Sequence, residues 1–137
     1  MMISTKGRYA IRVMSDLAEH DNGEYIPLKE VADRQMISKK YLEGIMTMLS
    51  KAGLVSGLHG KGGGYRLVKK PSEYTIGSIL KHTESSLAPV ACLKCSPVEC
   101  ERAGECRTLP MWTKLDKLID DFFEGITLED IIDGNVR

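Results

Sequence analysis

The sequence predicts a mostly α-helical fold that carries one small β-hairpin. Apolar residues recur at the 3.6-residue helical period in several separate stretches of the 137-residue chain. Two short runs with strand character surround a glycine-rich segment, residues 59–64. A longer apolar-rich stretch at about 109–124 indicates one long helix near the C-terminus. A chain of this length is expected to form one domain, or one domain with an appendage.

The first helix is predicted from about Thr5 to Glu19. Its apolar residues repeat at helical spacing, and they are Ala10, Val13, Met14, Leu17 and Ala18. The turn-forming run Asp-Asn-Gly at 21–23 ends it. We therefore expect this helix to bury one face in the core.

A helix-turn-helix is predicted for the next stretch. A short second helix begins near Pro27, because proline is favoured in the first helical turn, and its apolar face is Leu28, Val31 and Ala32. A third helix follows, with Ser38 as its N-cap and Gly53 at its end. Its buried stripe is Leu42, Ile45, Met46 and Leu49. Two short helices joined by a tight turn have the layout of a DNA-binding motif.

The outer face of the third helix suits the major groove of DNA. It carries no bulky apolar side chain, and its residues are Lys39, Lys40, Glu43, Gly44 and Thr47. Cations at the start of a helix can reach phosphates, and short polar side chains can approach base edges. For this helix taken alone, an ordinary solvated surface is an equally good explanation.

A basic hairpin follows this helix and favours DNA binding. Residues 54–58 and 65–68 have strand character, and the glycines between them permit positive φ and close backbone approach. Lys61 lies at the predicted tip, flanked by His59 and Arg66. Residues 38–70 contain seven Lys or Arg and one acidic residue. A helix-turn-helix with a basic hairpin is a winged helix, which predicts binding to double-stranded DNA.

Charge is unevenly distributed along the chain. The formal net charge is zero, but residues 1–70 carry 12 Lys or Arg against 7 Asp or Glu, and residues 71–137 carry 7 against 12. This asymmetry suggests that the first half meets a polyanion. No apolar run approaches the roughly 20 residues that span a membrane. With no secretory signal evident, a cytoplasmic location without membrane association is expected.

The second half is predicted to hold a short helix, a loop and a long helix. Thr75 caps a helix from Ile76 to about His82. The long helix runs from about Leu109 to Glu124 and ends at Gly125, before a last helical turn capped by Thr127 and Asp130. Its apolar residues are Trp112, Leu115, Leu118, Ile119, Phe122 and Phe123. The long helix either packs on its own domain or crosses its twin in a homodimer. The expected units are residues 1–83, 84–107 and 108–137.

All four cysteines lie within fifteen residues, at Cys92, Cys95, Cys100 and Cys106. Thiolates gathered in one loop can share a metal ion or a cluster. The uneven C-x2-C-x4-C-x5-C spacing favours an iron–sulfur cluster over zinc, whose sites usually pair two close couples of ligands. A zinc site and a thiol switch stay open. A disulfide scaffold and a redox enzyme are disfavoured, because no secretory signal, substrate pocket or catalytic base is evident.

With these segments in view, the chain resembles the Rrf2 family of bacterial winged-helix transcription regulators over nearly its whole length. The resemblance rests on STKGRYAIRVM at the start, ISKKYLEGI in the third helix, GKGGGYRL in the wing, the cysteine loop, and W-x-K-L-D before ITLEDII at the end. The chain is closest in type to the iron–sulfur cluster regulators of that family.

The resemblance implies a homodimer that crosses its long C-terminal helices and binds operator DNA. It also implies a cluster, [2Fe–2S] in preference to [4Fe–4S], with ligands Cys92, Cys100 and Cys106 and with Cys95 as an extra candidate. The residues it places at DNA are Ser38, Lys40, Glu43, His59 and Lys61. The expected function is a repressor that senses iron–sulfur cluster status, redox state or nitric oxide. The alternative is a winged-helix regulator with a zinc site, a thiol switch, or a partner protein that reports cysteine status.

Two positions depart from the family pattern. The family's iron–sulfur cluster regulators use a His three residues after the last cysteine, where this chain has Leu109. Its nitric-oxide sensors use an Asp near the N-terminus, where this chain has Arg8. The fourth cluster ligand is therefore open. Cys95 is the simplest candidate, and the loop carboxylates follow it, namely Glu99, Glu101 and Glu105.

Overall fold

The structure, a computed structural model, describes residues 2–94 and 101–136. Its helices are α1 (Thr5–Glu19), α2 (Leu28–Gln35), α3 (Lys39–Lys51), α4 (Ile76–Thr83), α5 (Leu109–Glu124) and α6 (Leu128–Asp133). Two antiparallel strands, β1 (Val55–Leu58) and β2 (Gly64–Leu67), form a hairpin between α3 and α4. Short 3-10 turns lie at Pro71–Glu73 and Ala91–Leu93. The predicted mostly helical fold with a hairpin wing is confirmed.

The core lies where α1 meets α3, α4 and α6. The apolar stripes predicted for α1 and α3 are all buried, and Val13, Met14, Leu42 and Met46 are wholly inaccessible. Burying a side chain of this size contributes about 1.5–3 kcal/mol. Leu128 of α6 is equally buried, so the last helix completes the core that the first helix begins.

The predicted helix ends depend on local capping. The Ser38 hydroxyl accepts from the Tyr41 N–H at 3.2 Å, and the Thr75 hydroxyl accepts from the Ser78 N–H at 3.0 Å. Thr127 and Asp130 form a reciprocal capping box at the start of α6. These caps satisfy backbone N–H groups that have no partner within their own helix. Pro27 differs slightly from its expected place, because it is the N-cap of α2 and not a first-turn residue.

The wing is held to the helices by a third, short pairing. Ile26 exchanges two backbone hydrogen bonds with Tyr65, each 2.9 Å long, on the open side of β2. Gly64 lies directly against the Ile26 carbonyl with φ of 150°, where a Cβ atom would overlap that backbone. Only glycine fits this approach. The last glycine of the run is therefore required for the wing to dock on the segment before α2.

A buried tyrosine closes the base of the wing. The Tyr74 hydroxyl donates to the Leu54 carbonyl at 2.7 Å and accepts from the Val68 and Lys69 N–H groups at 3.0 and 3.1 Å. Burial raises the pKa of Tyr74 above its ordinary value, so the phenol stays protonated and able to donate. The Tyr74 side chain thus holds the residue before β1 and the two residues after β2 together at the base of the hairpin.

The long helix α5 divides its apolar residues between two faces. Lys81 of α4 forms ion pairs with Asp120 and Glu124, each 2.9 Å long, and these pairs hold the second half of α5 beside α4. The half-buried face carries Trp112, Ile119 and Phe123. The other predicted apolar residues, Leu115, Leu118 and Phe122, are exposed. Across the two described stretches of chain, no helix has both the length and the apolar character to cross a bilayer.

Candidate nucleic-acid interface and cysteine segment

A groove of about 540 Å³ separates the outer face of α3 from the wing. The predicted DNA-binding residues on its walls are Lys39, Glu43 and His59. Lys39, Glu43 and Thr47 recur every four residues and therefore share one face of α3. The structure thus brings two recognition-helix residues and one wing residue to a single concave surface.

Ser38 and Lys40 lie on the other flank of the first turn of α3. There they line a separate pocket of about 530 Å³ together with Tyr41, Gly44 and Lys6. Lys6 belongs to α1 and was not among the predicted DNA-binding residues. Helical periodicity assigned α1 to the core and gave no sign that its first turn would lie beside α3. Only the tertiary packing of the two helices brings Lys6 to Lys40.

Lys61 occupies the exposed tip of the wing. The preceding and following glycines, Gly60 and Gly62, have φ of 91° and 78°, and the Gly63 N–H donates to the Gly60 carbonyl at 3.0 Å. This left-handed backbone suits glycine and makes the turn tight. The predicted wing geometry therefore places a cation at its end.

Arg66 borders a different surface from the groove. Its Nη1 donates to the Gly23 carbonyl at 2.9 Å, and its guanidinium lies 4.4 Å from the centre of the Tyr25 ring. Successive residues of a strand face opposite sides. Tyr65 lines the groove, whereas Arg66 lines a cavity of about 640 Å³ behind the wing. A DNA contact by Arg66 remains a prediction, and in the structure Arg66 ties the wing to the turn after α1.

Two of the four cysteines fall in the described part of the chain. Cys92 lies in the 3-10 turn Ala91–Leu93 and Cys106 lies just before α5, and both thiols are free and half-buried. Cys95, Cys100 and the candidate ligand Glu99 lie outside the described residues. Within residues 2–94 and 101–136, no three His, Cys, Asp or Glu residues are grouped to hold a metal ion. The ligand set predicted from the cysteine spacing therefore remains a prediction.

The surroundings of Cys106 favour its thiolate. Its Sγ lies 3.3 Å from the Thr108 hydroxyl. This hydrogen bond and those from the Thr108 and Leu109 N–H groups hold the pKa of the Cys106 thiol below its ordinary value. Iron and zinc bind the deprotonated thiol, so a lowered pKa is compatible with the predicted role of Cys106 as a ligand.

The two positions that depart from the family pattern offer no replacement ligand. Leu109 begins α5 and has a hydrocarbon side chain. Arg8 is exposed on α1, and its Nη2 donates to the Thr5 hydroxyl at 3.2 Å. Neither side chain can donate an electron pair to iron in the form present at neutral pH. The fourth ligand predicted for the cluster would therefore have to be another residue.

Comparison with known proteins gives concordant matches over nearly the whole chain. The sequence model of the Rrf2 family, described as iron-dependent transcriptional regulator, matches residues 3–134. The HTH-type transcriptional regulator IscR of Aliivibrio salmonicida is 38% identical over 136 residues, which are 98% of this chain and 79% of that protein.

Two solved structures are similar in both sequence and fold. IscR of T. potens has 32% identity and a TM-score of 0.78, with 99% of this chain and 89% of that one covered. CymR, the global cysteine regulator of B. subtilis, has 32% identity and a TM-score of 0.79, with 97% of each chain covered.

Proposed function

This chain belongs to the Rrf2 family of transcriptional regulators, and from that membership we propose a homodimeric repressor that senses an iron–sulfur cluster. The family assignment, the winged-helix fold and the expectation of a DNA-binding regulator in place of an enzyme are confirmed by the matches to the family and to IscR. The dimer, the cluster and the residue roles are our proposals.

The groove between α3 and the wing carries the proposal of DNA recognition. An α-helix fits the major groove of B-DNA, which is about 12 Å wide. Lys39 lies at the start of α3, Glu43 lies one turn further along the same face, and His59 lies across from them on the wing. A duplex against this surface would receive α3 in its major groove and contact the wing at its backbone.

Each residue takes a role that fits its chemistry. Lys39, Lys40 and Lys61 contact phosphates, because an ammonium on a flexible stem serves as a point charge for the backbone. The Glu43 carboxylate accepts from an exocyclic amino group such as that of cytosine. Ser38 caps α3 beside Lys40, and His59 approaches the backbone from the wing. Arg66 supports the wing from behind and adds to its positive potential.

Sequence selection from a random duplex library tests this proposal. The wild type is expected to select a palindromic site, with affinity that falls as log[salt] rises, at a slope of about −0.9 for each phosphate contact. Glu43→Ala is expected to change the selected bases, whereas Lys51→Gln, at the other end of α3, should leave them unchanged. Failure of the wild type to select any sequence would refute DNA recognition by this surface.

The exposed face of α5 supports a homodimer. Met111, Leu115, Leu118 and Phe122 recur at spacings of four, three and four residues, and each is between 38 and 59% exposed. Contiguous apolar stripes of this kind mark interaction surfaces. Two α5 helices packed along this stripe would hold two winged heads at a fixed separation, which suits a palindromic operator.

The cysteine chemistry supports a metal site at the start of α5. We propose that Cys92, Cys100 and Cys106 are the thiolate ligands, with Cys95 as the candidate fourth. The turn Ala91–Leu93 packs against α5, and Cys106 directly precedes that helix, so both described thiols adjoin the proposed dimer helix. An iron–sulfur cluster, when bound, supplies a group whose presence depends on iron and on oxidants. Its loss would free the segment that adjoins α5.

The likeness to CymR, a global cysteine regulator, favours a second candidate, which is a winged-helix regulator without a cluster. Its cysteines would bind zinc or act as a thiol switch, or it would sense cysteine status through a partner protein. Iron, sulfide and zinc analysis of anaerobically purified protein separates the two. Stoichiometric iron and sulfide with visible absorption, lost in Cys92→Ala, Cys100→Ala and Cys106→Ala, are expected for the cluster. A colourless protein with no iron would end the cluster proposal and leave the zinc or thiol regulator, while the DNA-binding proposal would stand.

A further inference from the structure

Ser4, the N-cap of α1, is hydrogen-bonded to Glu84, the first residue of the cysteine segment, which we define as residues 84–107. The Glu84 carboxylate accepts from the Ser4 N–H at 2.6 Å, from the Ser4 hydroxyl at 2.7 Å and from the Thr83 hydroxyl at 2.8 Å. The same Ser4 oxygen accepts from the Gly7 N–H at 2.9 Å and so caps α1. The Ser4 hydroxyl therefore caps the N-terminus of α1 and also donates to Glu84, the C-cap residue of α4.

The fit between these two elements is close. A Cβ atom at Gly7 would lie 2.9 Å from a Glu84 carboxylate oxygen and 3.0 Å from the Thr83 hydroxyl. Any larger side chain at position 7 would displace the carboxylate. Burial would raise the pKa of Glu84, but the hydrogen bonds from Ser4 and Thr83 outweigh it and hold that pKa below its ordinary value. The junction thus contains a charged carboxylate at neutral pH.

Lys6, in the same turn, borders two cavities. One is a cleft of about 570 Å³ that Lys6 shares with Ser4, Glu84 and the start of the cysteine segment as far as Lys94. The other is the pocket of about 530 Å³ that it shares with Ser38 and Lys40 of the recognition helix. A single helical turn therefore separates the cysteine segment from the DNA-reading surface.

An aromatic contact fixes this turn relative to α3. The Tyr9 and Tyr41 rings meet edge to face, with centroids 5.7 Å apart, and the Arg12 guanidinium lies 5.0 Å from the Tyr9 ring. Such pairs contribute about 0.5–1.5 kcal/mol beyond their buried area. Because Tyr41 adjoins Lys40 in α3, α1 and the start of the recognition helix keep a defined separation. Lys6 and Lys40 are held on the same side of the domain.

We infer that Lys6 contacts a backbone phosphate of the operator beside Lys40, and that the Ser4–Glu84 hydrogen bonds position this contact from the first residue of the cysteine segment. The inference rests on the proposed DNA-binding function. Two ammonium groups around one pocket suit the phosphate backbone, which lies at the edge of a groove occupied by α3. A displacement of Glu84 would shift the cap of α1 and, with it, Lys6.

Salt dependence of binding tests the phosphate contact. The probes are a duplex selected by the wild type from a random library and a scrambled duplex of equal length. Lys6→Gln is expected to weaken binding to both by a similar factor, and to make the plot of log affinity against log[salt] less steep by about 0.9 for each protomer. Lys51→Gln, about 18 Å away along α3 from Lys39, is the matched control and should keep the wild-type slope. An unchanged slope in Lys6→Gln would overturn the inference.

A double-mutant cycle tests the positioning role. Glu84→Gln keeps the side-chain shape and removes the charge. It is expected to weaken binding about fivefold in the wild-type background and hardly at all in Lys6→Gln, because coupled residues are not additive. Ser4→Ala should behave like Glu84→Gln, and Ser4→Thr, which keeps the hydroxyl, should restore binding. Equal losses in both backgrounds, or no loss in either, would overturn the positioning role.

Two controls separate the possible failures. Circular dichroism melting must show each variant folded at the assay temperature, and Glu84→Asp replaces Glu84→Gln if the latter is unfolded. If the wild type selects no duplex from the library, the proposed function fails and this inference falls with it. If the wild type binds with a steep salt slope and Lys6→Gln matches it, only this inference fails.

Discussion

The guanidinium of Arg34 forms a bidentate ion pair with the buried carboxylate of Asp16, with Nη2 2.7 Å from one oxygen and Nε 3.0 Å from the other. Gln35 Nε2 donates to the same carboxylate at 2.9 Å. Asp16 lies on the inner face of α1, and its partners close α2. The pair therefore fixes the end of α2, from which the chain turns into the recognition helix.

Asp16→Asn is expected to destabilise the domain by about 2 kcal/mol. The amide keeps the shape of the carboxylate, but its oxygen can accept from only one of the two guanidinium nitrogens, and its NH2 group would face the other donor. The figure is below that of a fully buried pair, since Arg34 is one-third exposed. Urea unfolding followed by circular dichroism measures the change. Asp33→Asn, on the exposed face of α2, is the control and should cost almost nothing.

The same pair predicts how stability changes with pH. Burial raises the pKa of Asp16, but the hydrogen bonds from Arg34 and Gln35 more than offset it, so the folded pKa lies below the ordinary value of 3.8. A lowered folded pKa gives stability that is complete above the unfolded value and is lost as pH falls through the folded value. The difference between wild type and Asp16→Asn should therefore be constant from pH 7 to about 5 and shrink below pH 4. A difference that grew on acidification would contradict the pairing.

Met36→Gly is expected to stabilise the protein by about 0.5–1 kcal/mol. Met36 joins α2 to α3 with φ of 55° and ψ of 43°, and its side chain is 91% exposed. A left-handed conformation costs a residue with a Cβ about 1–2 kcal/mol, and glycine avoids this cost. Part of the gain is lost, because glycine gives up more conformational entropy when the chain folds. Because the methionine buries almost nothing, little packing is lost. A thermal melt should show a higher midpoint, and a lower one would show that the turn depends on the methionine side chain.

Local signals could be predicted from the sequence, and contacts between distant segments could not. The caps at Ser38, Thr75 and Thr127 depend on residues within three positions, and all three were predicted correctly. The Ser4–Glu84 junction joins residues 80 positions apart, and no periodic pattern encodes such a pair. Likewise, which apolar residues of α5 stay exposed depends on how α5 packs beside α4, a distant element of the chain.

If the exposed apolar stripe on α5 forms the dimer interface, charged residues introduced into the stripe should dissociate the dimer. Replacing Leu118 and Phe122 together by Glu should give a monomer in light scattering at concentrations where the wild type is a dimer. Two carboxylates would lie in an apolar interface, and their desolvation has no compensating partner. Thr113→Glu, exposed on the same helix but outside the apolar stripe, is the control. A double variant that stays dimeric would place the interface elsewhere.

The hydrogen bond between Thr108 and Cys106 predicts how readily the thiol reacts. Thr108→Val keeps the shape of the side chain and removes the hydroxyl, which is the largest cause of the lowered pKa of Cys106. The thiolate fraction at a given pH should fall, because the pKa of the thiol rises toward its ordinary value of 9.0. The measurement is the pH profile of iodoacetamide alkylation in metal-free protein whose other three cysteines are serine. The profile should move to higher pH in Thr108→Val and stay in place in Thr113→Val. A profile that did not move would show that the N–H groups of Thr108 and Leu109 alone stabilise the thiolate.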